Sequence, residues 1–70
     1  DYKSTLQEFA QEKGTLPPAY ELLEEMGPDH DKTFNVKLTL FEIEAQGSGK
    51  TKKAAEQDAA KNALDLIKKQ

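Results

Sequence analysis

A chain of 70 residues with no cysteine and a formal net charge of −3 leaves few options open. The length supports one small domain, and the modest core of such a domain argues against a complete enzyme with an enclosed site. Without cysteine there is no disulfide framework and no thiolate zinc site, and no apolar run reaches the length of a membrane span or has the pattern of a signal peptide.

The first element predicted is a helix over residues 2–12, YKSTLQEFAQE. Tyr2, Leu6, Phe9 and Ala10 share one face at helical spacing. Ser4, Gln7, Glu8 and Gln11 follow the same spacing and lie opposite, so the second face is polar and rich in hydrogen-bonding groups. Gly14 is a helix stop, and Pro17–Pro18 break any continuation.

Residues 19–25, AYELLEE, are helix formers by type. The segment between Pro17–Pro18 and Gly27–Pro28 is short, however, and it is read as a strand. Residues 26–32, MGPDHDK, read as a loop from their Gly-Pro and Asp content. Over residues 33–41, Phe34, Val36, Leu38 and Leu40 alternate with Asn35, Lys37 and Thr39, which predicts a strand. Ile43, Ala45 and Gly47 alternate with Glu44, Gln46 and Ser48 and predict another. The turn between them, near Phe41–Glu42, lacks the Asn-Gly or glycine signal usual in a tight hairpin.

From Thr51, a suitable N-cap, to about Lys69 the pattern is a long helix with Ala55, Ala59, Ala63, Leu66 and Ile67 on one face. Its alanine-rich half leaves room for close packing by bulky side chains of the sheet. The order is α-β-β-β-α. The fold class expected is α+β: a three-stranded antiparallel sheet with two helices packed on one face.

Charge is unevenly spread. Residues 1–49 carry a balance of −6 and residues 50–70 a balance of +3. The positive part begins in GSGKTKKAAEQ, where Lys50, Lys52 and Lys53 gather at the start of the last helix. Positive charge at a helix N-terminus favours phosphate. Gly49, Lys50 and Thr51 match the end of a nucleotide-binding P-loop, but Glu44 stands where that motif requires its first glycine, which removes the nucleotide reading. His30, the only histidine, lies between Asp29 and Asp31, and three neighbouring loop residues cannot all turn comfortably to one ion. No nucleophile–base pair can be named. A nucleic-acid backbone is the remaining source of phosphate. With few aromatics on the open face of the sheet, a surface reading duplex shape fits better than base stacking.

Three segments, DYKSTLQE, PAYELLEEMGPDHDKTFNV and GSGKTKKAAEQDAAKNAL, resemble the double-stranded-RNA-binding domain, in particular that at the C-terminus of bacterial ribonuclease III. The likeness covers residues 1–70 as one domain. It implies three RNA-contacting regions. Ser4, Gln7, Glu8 and Gln11 of the first helix would meet one minor groove. The loop from Gly27 to His30 would enter the next, with Pro28 acting by shape and His30 by side chain. Lys50, Thr51, Lys52 and Lys53 would bridge the phosphates between, supported by Gln57. The resemblance further implies that this piece has no catalytic role. The opening on Asp1 suggests a fragment of a longer, cytoplasmic chain. In that chain a separate catalytic domain would use magnesium and form a homodimer. No membrane partner is expected. Two alternatives stay open: a protein–protein or dimerisation module of the same fold, using acidic surface such as Glu42 and Glu44, and the RNA-binding domain of another RNA-processing protein. Two departures stand out, the missing Asn-Gly turn and Thr51 where serine is commoner.

Overall fold

A computed structural model describes residues 1–69, in the order α1 (Tyr2–Glu12), β1 (Ala19–Met26), β2 (Thr33–Leu40), β3 (Ile43–Gly49) and α2 (Lys52–Lys68). The strands form one antiparallel sheet in the order β1-β2-β3, as expected. Both helices lie on the face carrying the buried Val36, Leu38, Leu40 and Ala45.

Each helix is closed by local chemistry. Asp1 caps α1, its carboxylate accepting from the Ser4 N–H at 2.8 Å. At the other end the Gly14 N–H donates to the Gln11 carbonyl and the Thr15 N–H to the Ala10 carbonyl, both at 3.0 Å, which is a Schellman arrangement. Thr51 caps α2, accepting from the Ala54 N–H at 3.0 Å.

The core is built from Leu6 and Ala10 of α1, Leu38, Leu40 and Ala45 of the sheet, and Ala59, Ala60 and Ala63 of α2. Two apolar faces differ from expectation at their margins. Tyr2 is 47% exposed, because at this residue α1 meets α2 through the backbone N–H rather than the side chain. Leu66 is 42% exposed, because α2 turns Ala60 and Leu64 inward instead. The alanines also do more than receive bulky side chains. At Gly47 the strand lies directly on the helix, so that a Cβ there would fall 2.1 Å from the Ala59 nitrogen and 2.5 Å from the Ala55 carbonyl oxygen. Small residues on both elements let two backbones touch.

β1 contains a bulge between Leu22 and Glu24. Leu22 pairs with the inward Val36, whereas Glu24 pairs with the outward Asn35. The extra residue breaks the period-2 alternation and turns the Glu24 carboxylate to the solvent side. β1 runs one residue further than expected, to Met26. β2 ends one residue earlier, at Leu40. The hairpin closes on Phe41–Glu42, with Leu40 paired to Ile43 and Phe41 at φ 55°. A bulky residue takes the left-handed conformation that glycine usually supplies, at a cost of about 1–2 kcal/mol.

β3 is an edge strand, and α2 covers two of its outward backbone groups. Asp58 accepts from the Ser48 N–H at 2.9 Å, and the Asn62 amide donates to the Gln46 carbonyl at 2.7 Å. Filling these groups keeps the edge from pairing with another strand.

Candidate nucleic-acid interface

The three regions that the resemblance implies all lie on the exposed surface. On α1, Ser4, Gln7, Glu8 and Gln11 are all exposed, while Leu6 and Ala10 on the opposite side are buried. The four side chains make no hydrogen bond or ion pair among the described residues. They form a polar strip free to meet a ligand.

The second region is the β1–β2 loop. Gly27 sits at φ +94°, which an L side chain adopts only under strain, and a Cβ there would fall 2.6 Å from the Asp31 carbonyl oxygen. The chain then turns tightly, the Asp31 N–H donating to the Pro28 carbonyl at 2.9 Å. This places Asp29 and His30 at the exposed tip. The two aspartates flanking His30 diverge. Asp29 lies 3.7 Å from the Lys32 ammonium, and Asp31 accepts from Lys50 at 2.9 Å. Among the described residues no group of three or more His, Cys, Asp or Glu side chains is placed to hold a metal.

The third region is the start of α2. Lys52 and Lys53 are exposed in its first turn, which contains no acidic residue. The N–H groups of that turn and the helix dipole add to their charge. Lys50, just before the cap, reaches back to Asp31 and lies 3.4 Å from the Thr33 hydroxyl. The Thr51 hydroxyl is committed to the cap.

Two links order these regions. On one side Lys50–Asp31 ties the β1–β2 loop to the β3–α2 junction. On the other, the Gln57 side-chain oxygen accepts from the Tyr2 N–H at 3.1 Å and the Lys3 N–H at 3.4 Å, while the Lys3 ammonium pairs with Glu56. The same ammonium lies 4.8 Å from the centre of the Tyr20 ring. Burial, helped by the Glu56 carboxylate, pushes the Tyr20 phenol above its usual pKa. The lysines therefore sit between the polar strip of α1 and the His30 loop.

Gln57 has a structural task beside the one the resemblance implied. Its carbonyl oxygen is spent on two N–H groups at the start of α1 that have no partner within that helix. It fixes α1 against α2. Gln57→Leu should therefore loosen α1 and cost about 1 kcal/mol in stability, and Gln57→Glu, which keeps the acceptor, should restore it. Thermal melts of the two variants check this; equal loss in both would refute the capping role. Lys3, Glu56 and Asp31 were not among the RNA-contacting residues that the resemblance implied. Each acts through a partner 19 or more positions away, and no local pattern signals such a pairing.

Comparisons with known proteins agree with this geometry. The family described as double-stranded RNA binding motif matches residues 2–67. Ribonuclease 3 of Syntrophobacter fumaroxidans is 52% identical over 68 residues, covering 96% of this chain and 28% of the relative. Ribonuclease 3 of Latilactobacillus sakei is 48% identical over 69 residues, covering 97% of this chain and 30% of the relative. The chain thus spans under a third of the length of these relatives. Among solved structures, Arabidopsis HYL1, described with its implications for miRNA processing, superposes with a TM-score of 0.84 at 36% identity and covers 96% of each chain. The second such domain of DRB4 gives a TM-score of 0.73 at 39% identity, covering 100% of this chain and 99% of the other.

Proposed function

Because the chain belongs to the double-stranded RNA binding motif family, we propose that it binds duplex RNA by shape, through two minor grooves and the phosphates between them. The observation that carries this reading is the ordering of three exposed regions. Lys52 and Lys53, which have no ion-pair partner among the described residues, are flanked on one side by the polar strip of α1 and on the other by the His30 loop, each held by its own link. Such an arrangement suits a duplex whose minor grooves alternate with a phosphate-lined major groove. Ser4, Gln7, Glu8 and Gln11 would meet ribose hydroxyls and base edges. Pro28 and His30 would enter the next minor groove, and Lys50, Lys52 and Lys53 would span the phosphates. Thr51 would contribute through the cap that shapes the lysine turn, and Gln57 through the placement of α1.

The parent protein is read as a ribonuclease III, an endonuclease of double-stranded RNA acting in rRNA and mRNA processing, with this chain as its substrate-binding module. The two relatives named Ribonuclease 3 support that reading. Catalysis, magnesium binding and homodimerisation would belong to another part of that parent, in a cytoplasmic protein.

The test is affinity for a duplex of about 20 base pairs, long enough for the roughly 16 that such a domain spans, made as RNA and as DNA of one sequence. Preference for RNA is expected, because only RNA presents the 2′-hydroxyl. Equal affinity would reduce the domain to a generic binder of polyanions.

A further inference from the structure

The three lysines around the cap of α2 are not equivalent. Lys52 and Lys53 have no ion-pair partner among the described residues, whereas Lys50 is held by Asp31 at 2.9 Å. The pair joins residues 19 positions apart, across the gap between the β1–β2 loop and the β3–α2 junction. Both side chains are largely exposed, at 69% and 63%. An ion pair so open to water contributes little to folding. Its main effect is on the local field: with Asp31 beside it, the Lys50 charge is neutralised for an approaching anion.

We infer that Asp31 is an internal competitor for phosphate at Lys50, and so a residue that sets the strength of the phosphate clamp. The inference rests on the duplex-RNA reading. A phosphate approaching Lys50 meets a carboxylate already on that ammonium. It must either displace the carboxylate or bind beside a like charge. The clamp is then two free lysines and one restrained. Displacement would also release the loop bearing His30 from its tie to the junction, so that phosphate contact and groove entry are coupled at this one pair. The other lysine of this neighbourhood, Lys32, is held by Glu25 at 3.1 Å and faces Asp29 at 3.7 Å, and does not take part.

The experiment is a double-mutant cycle on the whole chain with a duplex RNA of about 20 base pairs. Asp31→Asn should bind about two- to fivefold more tightly than the parent, the range expected from freeing one exposed ion pair. In a Lys50→Met background the same substitution should bring no gain. Asp65→Asn, which makes the same charge change about 18 Å further along α2 from Lys53, should leave affinity unaltered. An Asp31→Asn variant that binds no more tightly overturns the inference. So does a gain that persists without Lys50, or an equal gain from Asp65→Asn. If the parent chain shows no affinity for the duplex, the duplex-RNA reading fails first and the inference with it. Measurable parent binding with no Asp31 effect removes the inference alone.

Discussion

Gly47→Ala is expected to remove about 3 kcal/mol or more of folding free energy, at or above the upper end for an overpacked core. The new Cβ would stand 2.1 Å from the Ala59 nitrogen, 2.5 Å from the Ala55 oxygen and 2.7 Å from the Ala59 Cα. All three are backbone atoms of α2, and a helix backbone cannot step aside as the tip of a side chain can. The whole helix would have to lift from β3. A domain of this size has only about 4–10 kcal/mol to lose, so the melting temperature should fall by about 12–24 °C. Trimming the neighbour offers no relief: Ala59→Gly removes a methyl group but leaves the nitrogen and Cα where they are, and it places a glycine inside the helix, so the double variant should be no more stable than the single one. Thermal and urea denaturation followed by circular dichroism would measure both. A loss below about 1 kcal/mol, the centre of the range for ordinary point variants, would mean that α2 does not sit on β3 as described. The substitution should also weaken RNA binding in the fraction that stays folded, because Lys52 and Lys53 ride on the helix that moves.

Gly47 also marks how far the sequence could be read. Alternation in β2 and β3 and the capped, alanine-rich pattern of α2 were legible, because each element follows one period. The opposed faces of α1 were legible for the same reason. The doublets Leu22–Leu23 and Glu24–Glu25 fit neither period, and the bulge in β1 is the cause. The hairpin at Phe41–Glu42 carried no turn signal because Phe41 accepts a strained φ of 55° that sequence rules assign to glycine. In the candidate site, exposed residues were visible by type: lysines at a helix start, a polar strip and a lone histidine in a Gly-Pro loop. Residues acting inward were not. Gln57 and Asp31 look like surface residues until the fold brings Tyr2 and Lys50 to them.

Replacing Lys52 and Lys53 together by alanine should separate stability from function. Two cations in the first turn of α2 stand at the positive end of the helix dipole, where an acid would be favoured, and no acidic residue shares that turn. Neither lysine has an ion-pair partner among the described residues, and both are exposed. The fold gains nothing from their charge. Removing it should raise stability by about 1 kcal/mol, or roughly 4–8 °C in a domain of this length. Binding should move the other way. Each lysine that meets a phosphate contributes on the order of 1–1.5 kcal/mol, so the double variant should lose roughly 30- to 150-fold in affinity for duplexes of any sequence. The logarithmic salt dependence should flatten by about 0.9 for each contact removed, the value for B-form charge density. On the proposed reading, discrimination between RNA and DNA should survive, because that reading assigns it to α1 and the His30 loop rather than to the lysines. A variant both less stable and unaltered in affinity would make the lysines structural. The opposite pair of changes, tighter folding with weaker binding, identifies charge kept at an unfavourable place because the ligand is an anion.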